Sequence, residues 1–226
     1  VGGTVISTLT MVGYDCEIAL QNDGKLVVAA ELANVPVLLR FAADGTVDAS
    51  YGEKGVVSLS SQAFPGIRGL RLDKEGRALV LGSSSFDGAK VARLLDTGAL
   101  DQSFGVAGVA VISVPTNDSD ERVSWGSMAL QPDAKIVVAG NVSIDKDFNG
   151  VPSIGSPVLL RFDANGKVDT SFGKNGSVRV QLDEKGVISL LFRRQSVVAL
   201  PDGRLAVGGV QTPYDGSRSV ITVVWQ

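Results

Sequence analysis

The sequence contains no histidine and a single cysteine, Cys16, in 226 residues. The first absence removes Ser-His-Asp and Cys-His nucleophile chemistry, and with it the usual His-bearing zinc sites. The second removes any internal disulfide framework and any thiolate metal cluster. Cys16 precedes an apolar run and reads as a buried thiol. An enzyme built from this chain has to work with carboxylates, lysine, tyrosine or a hard cation. Aromatic residues make up only 6%, which is little for a dedicated sugar-stacking lectin. No Lys/Arg cluster is longer than Arg193-Arg194 and the formal net charge is −3. A nucleic-acid surface, which needs many phosphate contacts, is therefore not expected. The longest uncharged stretches, 2–14 and 106–117, contain polar residues and fall short of a membrane span. Val1 opens the sequence without a Met, a basic region or an apolar signal run, so any export signal is expected to have been removed or to lie outside it.

What is present is glycine, at 27 copies, within a chain that is 44% apolar and 20% charged. That balance belongs to a globular protein of many short strands and tight turns. One segment recurs four times: IALQNDGKLVVAA at 18–30, LRLDKEGRALVLG at 70–82, MALQPDAKIVVAG at 128–140, and VALPDGRLAVGG at 198–209, the last shorter by one residue. Each reads strand, Asp-Gly-type turn, strand, because the turn residues accept positive φ and the β-branched run that follows suits a pleated sheet. On this alignment Arg71 takes the position of Ala19, Ala129 and Ala199. A second segment follows in three copies: Val37 to Phe41, then Asp44-Gly45 and VDASYG at 47–52; Arg93, then Thr97-Gly98 and LDQSFG at 100–105; Arg161-Phe162, then Asn165-Gly166 and VDTSFG at 168–173. This half reads as a third strand, a structured loop and a fourth strand. Tyr51, Phe104 and Phe172 are expected to plug under the sheets. Asp48, Asp101 and Asp169 each precede a serine by two residues, the spacing of a side-chain-to-backbone turn bond, and are read as structural rather than catalytic.

The repeats, at about 16–59, 68–114, 126–182 and 196–226, predict an all-β fold: a small β-propeller of four four-stranded blades in one domain. The fourth copy reaches its third strand at 220–225, and residues 1–9 match a repeat's fourth strand. The expectation is a ring closed by the N-terminal strand completing the last blade, which removes exposed edges. Two such chains joined as an eight-repeat ring are the alternative assembly.

These strings resemble the delta-60 repeat family, a bacterial β-propeller-like repeat whose pattern runs ALQPDGKIVVAG and then R-x-x-x-D-G-x-L-D-x-S-F-G-x-x-G. Ala129-Leu-Gln-Pro-Asp133, Lys135-Ile-Val-Val-Ala-Gly140 and Val168-Asp-Thr-Ser-Phe-Gly173 carry the match, which extends over nearly the whole chain. Ala134 in a glycine position, Arg71 for alanine and the shortened fourth copy depart from it. The resemblance implies a bacterial protein that is extracellular, periplasmic or at the cell surface, and it implies no defined reaction.

Loops on one side are uniform and those on the other vary, at 58–68, 83–89, 113–126, 141–157, 183–195 and 211–219, so binding is expected on the variable side. Candidate stacking aromatics there are Phe86, Trp125, Phe148, Phe192 and Tyr214. Asp145, Asp147 and Asn149 alternate in a D-x-D-x-N-G string that suits a calcium loop, although position twelve is Ser156 rather than Glu, which excludes an EF-hand. The neighbouring acids Asp118, Asp120 and Glu121 extend this patch. On the first inner strand, Glu17 shares a face with Ala19 by the period of two and is expected to approach Arg71 at the central channel. The leading expectation is a non-enzymatic module that recognises a glycan or protein. The alternative is a carboxylate-dependent carbohydrate hydrolase or lyase.

Overall fold

In the computed structural model the described residues are 16–33, 35–59, 64, 66–84, 88–112, 121–144, 154–179, 187–189, 197–212 and 219–225. They form sixteen β-strands in four antiparallel sheets, with no helix among them. The first sheet runs β1 (Glu17–Leu20), β2 (Leu26–Leu32), β3 (Val35–Phe41) and β4 (Val56–Ser58), in that spatial order. The second repeats it with β5 (Gly69–Leu72), β6 (Ala78–Ser84), β7 (Gly88–Leu94) and β8 (Val109–Ile112). The third comprises β9 (Glu121–Leu130), β10 (Ile136–Ile144), β11 (Ile154–Phe162) and β12 (Ser177–Arg179). In the fourth, β13 (Val187–Ser189) and β14 (Val197–Ala199) both lie along one side of β15 (Leu205–Thr212), with β16 (Ser219–Trp225) on the other. The fourth-sheet strand expected from residues 1–9 lies outside the described residues.

The first turn of every repeat closes in the same way. Gly24 N donates to Gln21 O at 3.0 Å, Gly76 N to Asp73 O at 3.0 Å, Ala134 N to Gln131 O at 2.9 Å and Gly203 N to Leu200 O at 2.9 Å. The corner residue has positive φ in all four, which glycine accepts freely and Ala134, at φ 66, adopts at a steric cost. The fourth turn is therefore as long as the others, and this corrects the alignment. Ala199 pairs with Leu205 as Leu20 does with Leu26. The residue at the Arg71 position is then Val198, not Ala199.

Successive sheets pack face against face, and the apolar side chains between them make the core. Leu38, Tyr51, Leu70, Val80 and Leu94 are buried between the first and second sheets. Leu81, Phe104, Trp125, Met128 and Phe162 are buried between the second and third. Ala129, Leu159, Phe172, Val197 and Leu205 are buried between the third and fourth. The expected plugs Tyr51, Phe104 and Phe172 are all buried. The inner hairpin of the third sheet is longer than its counterparts. Its register shifts between Ala139 and Gly140, so that Gly126 is an extra residue, and β9 extends back to Glu121. The stretch 121–126, read above as loop, is strand.

Candidate functional site

The inner edges of the first three sheets meet through β1 against β5 and β5 against β9, while β14 packs on β9. Glu17 and Arg71 stand at this edge. Arg71 Nη1 lies 3.9 Å from Glu17 Oε2 and donates to its neighbour's carbonyl, Leu70 O, at 2.7 Å. Both side chains are partly exposed, and burial draws the Arg71 guanidinium below its ordinary value against the opposing pull of Glu17. The approach expected from strand periodicity is present, as a long ion pair in the open part of the sheet edge.

A second acid lies on an inner strand. Glu121 at the start of β9 is buried, and Arg179 of β12 donates to both its oxygens at 2.9 and 3.0 Å. It was expected with Asp118 and Asp120 as a cation-attracting acid, but a bidentate guanidinium already satisfies it. Asp118, Asp120, Asp145, Asp147 and Asn149, the calcium candidates, lie outside the described residues, as do Phe86, Phe148, Phe192 and Tyr214. Trp125 does not stand on the variable side as a stacking platform. It is 2% exposed, packed between the second and third sheets, and its ring lies where a Cβ on Gly140 would sit, at 2.5 Å.

The residues that sequence reasoning assigned to structure form a polar arrangement repeated in three of the sheets. Arg40 Nε donates to Asp48 Oδ2 at 2.9 Å, Arg93 Nε to Asp101 at 2.8 Å and Arg161 Nε to Asp169 at 2.8 Å. The other oxygen of each carboxylate accepts from a serine hydroxyl, Ser50, Ser103 or Ser171, at 2.5, 2.6 and 2.5 Å, and from the same serine's N–H. Each guanidinium lies over an aromatic ring, 4.6 Å from the centroid of Tyr51, 4.5 Å from Phe104 and 4.3 Å from Phe172. The Ser50 hydroxyl, its N–H and Arg40 hold the Asp48 carboxyl down at about 2, and Asp101 and Asp169 are lowered for the same reasons. Carboxylates so fully engaged are poor proton acceptors, which fits a structural role. The sequence signal that would have found the whole unit is the eight-residue spacing from arginine to aspartate, common to all three copies.

The family model described as "Domain of unknown function (DUF5122) beta-propeller" matches residues 21–51 and 131–172. These segments hold the first turn and the arginine–aspartate unit of the first and third repeats, so the fold is all-β and β-propeller-like. No curated protein matches the sequence. Among solved structures, a polysaccharide lyase described as an ulvan lyase superposes with a TM-score of 0.57 at 10% identity, over 92% of this chain and 55% of its own. The same lyase bound to a GlcA(1-4)Rha3S unit gives the same values. An α-L-arabinanase of Cellvibrio cellulosa, complexed with arabinohexaose, gives 0.46 at 10% identity over 92% and 71%. This chain spans about half the length of the lyase. The likeness to the lyase shows the fold. The leading expectation of a non-enzymatic module is corrected by the lyase, since the structure that shares this fold over 92% of the chain is described as a polysaccharide lyase.

Proposed function

We propose that this chain acts on a carbohydrate by carboxylate chemistry, as a lyase or hydrolase domain, with the inner sheet edge around Glu17 and Arg71 as its centre. The observation that carries this reading is the fold likeness to a polysaccharide lyase over 92% of the chain. The inner-edge chemistry favours elimination over hydrolysis. Glycoside hydrolysis uses two carboxylates facing each other across the substrate, whereas Glu121, the other described inner-strand acid, is closed by Arg179. Elimination from a uronic acid needs one base and one cation. In this proposal Arg71 holds the uronate carboxylate, stabilising the charge that develops as Glu17 takes the proton alpha to it. The electron pair of the broken C–H bond forms the new carbon–carbon double bond, the bond from the ring carbon to the glycosidic oxygen breaks, and that oxygen leaves with its sugar, taking a proton from water. The substrate class is an acidic polysaccharide.

The same reading places the four sheets as blades of one propeller closed by residues 1–9. The variable loops carry Phe148, Phe192 and Tyr214 as stacking residues, and Asp145, Asp147 and Asn149 as a calcium loop. The mass in solution separates a closed monomer from an eight-repeat ring. Activity is tested by incubating the chain with uronate-containing polysaccharides, in calcium and in chelator, while following the ultraviolet absorbance of an unsaturated product and the release of reducing ends. The expected result is absorbance that rises with the parent and is lost in Glu17→Gln. Reducing ends without absorbance select hydrolysis, and neither signal on any acidic or neutral polysaccharide overturns the proposal.

A further inference from the structure

The arginine–aspartate unit does more than close its own sheet. Arg40 Nη1 reaches out of the first sheet to Asp96 in the β7–β8 turn of the second, donating to its carbonyl at 2.7 Å and to its side chain. Gly52 N donates to Thr97 O of the same turn at 2.9 Å. The second sheet grips the third identically, with Arg93 Nη1 donating to Ala164 O at 2.7 Å and Gly105 N to Asn165 O at 2.8 Å. In both turns the next residue is a glycine at positive φ, and it has to be one. A Cβ on Gly98 would stand 2.5 Å from Val57, and one on Gly166 would stand 2.9 Å from the Phe104 ring.

The third sheet carries the same donors, already oriented. Arg161 is bonded to Asp169 through Nε and stacked on Phe172, so its Nη1 and the Gly173 N–H occupy the positions that act in the other two. Neither meets an acceptor among the described residues. The exposure agrees: the Arg161 side chain is 17% exposed, against 2% for Arg40 and 6% for Arg93. β16 supplies the geometry of an approach. It pairs with β15 in the register of β3 on β2 and β11 on β10, Trp225 opposite Leu205 as Phe41 is opposite Leu26 and Phe162 opposite Ile136. By analogy with the turns after β7 and β11, a turn following β16 in that register would fall over Arg161.

We infer that Arg161 and Gly173 form a docking site for one more β-turn of the repeat's own kind, with two backbone carbonyls followed by a left-handed glycine, as in Ala164-Asn165-Gly166. Two charge-assisted or backbone hydrogen bonds and the covering of a half-open cation–aromatic stack are gained at once. The turn occupies the corner beyond the third strand, so the outer-strand position of the fourth sheet stays free for residues 1–9.

The site is tested by extending the full chain after Gln226 with a copy of residues 164–175 and comparing thermal unfolding with the parent. The expected result is a midpoint higher by about 3–6 °C, the shift that one to two kilocalories give a domain of this size. That gain is lost when the glycine of the added turn is changed to valine, and lost again in the extended Arg161→Ala chain. Arg161→Ala in the parent, folding or not, is expected to cost less than Arg93→Ala. An unchanged midpoint on extension, or a gain that survives either the glycine or the Arg161 change, overturns the inference.

Discussion

A guanidinium meets a carboxylate both at the outer corners and at the inner edge of the sheets, with opposite results. At the outer corners Arg93 and Asp101 meet at 2.8 Å, both nearly buried, with a serine on the free carboxylate oxygen, an aromatic ring under the guanidinium and a turn carbonyl beyond it. At the inner edge Arg71 and Glu17 meet at 3.9 Å, both partly exposed. The corner pair has its lone pairs and protons engaged by protein, and it offers nothing to a ligand. The inner pair is long and partly open, and under the proposed function a substrate carboxylate competes for its guanidinium. The difference separates a pair closed by protein from a pair left partly exposed, although both join an arginine to a carboxylate.

The comparison breaks most visibly at Asp101. Changing it to alanine leaves the Arg93 guanidinium buried without its carboxylate, and a loss of about 3–5 kcal/mol in urea unfolding is expected. A loss below about 1 kcal/mol would put the corner pair in the same class as the inner one. Acid provides the next test. Asp48 is held at about 2, and Asp101 and Asp169 are also lowered, below the usual carboxylate value of roughly 4. Their folded pKa values lie below the unfolded ones, so their contribution is complete above about pH 4 and is lost as the pH falls toward 2. The urea midpoint should hold from neutral pH to about 4 and then drop, and a midpoint that stays level down to pH 2 would contradict the assignment. The smallest effect is expected at the inner edge. Glu17→Gln should change stability by no more than about 1 kcal/mol, as partly exposed pairs do, while abolishing activity on an acidic polysaccharide. A large loss of stability would make the pair structural instead.

Much of this organisation can be read from the chain because it is local. The Asp-Gly turns, the paired strands and the aspartate-to-serine bonds each span a few residues, and their chemistry is visible in the string. The Glu17–Arg71 approach followed from a period of two on one strand. The misreadings share a cause, which is that register is decided by partners. The fourth copy appeared short in its turn, but strand pairing puts the missing residue in β14. Residues 121–126 appeared to be loop because the bulge at Gly126 interrupts the alternation that marks a strand. Trp125 was taken for a surface ring because nothing in its neighbours announces that two sheets close over it. The reach of Arg40 to Asp96 spans fifty-six positions, and only the packing of one sheet on the next reveals it.

In three of the sheets the spatial order of strands is their order along the chain. Nearly every backbone pairing therefore closes between neighbours in sequence, which keeps the entropy of loop closure small for an all-β protein. A sheet can assemble as soon as its own segment leaves the ribosome, and it waits for the next only to receive a turn under its arginine. Synthesis then proceeds as a series of clasps, each fastening the finished unit to the one emerging behind it. In such an order each new sheet finds the face it packs on already made, which shortens the time that face stays uncovered while synthesis is incomplete.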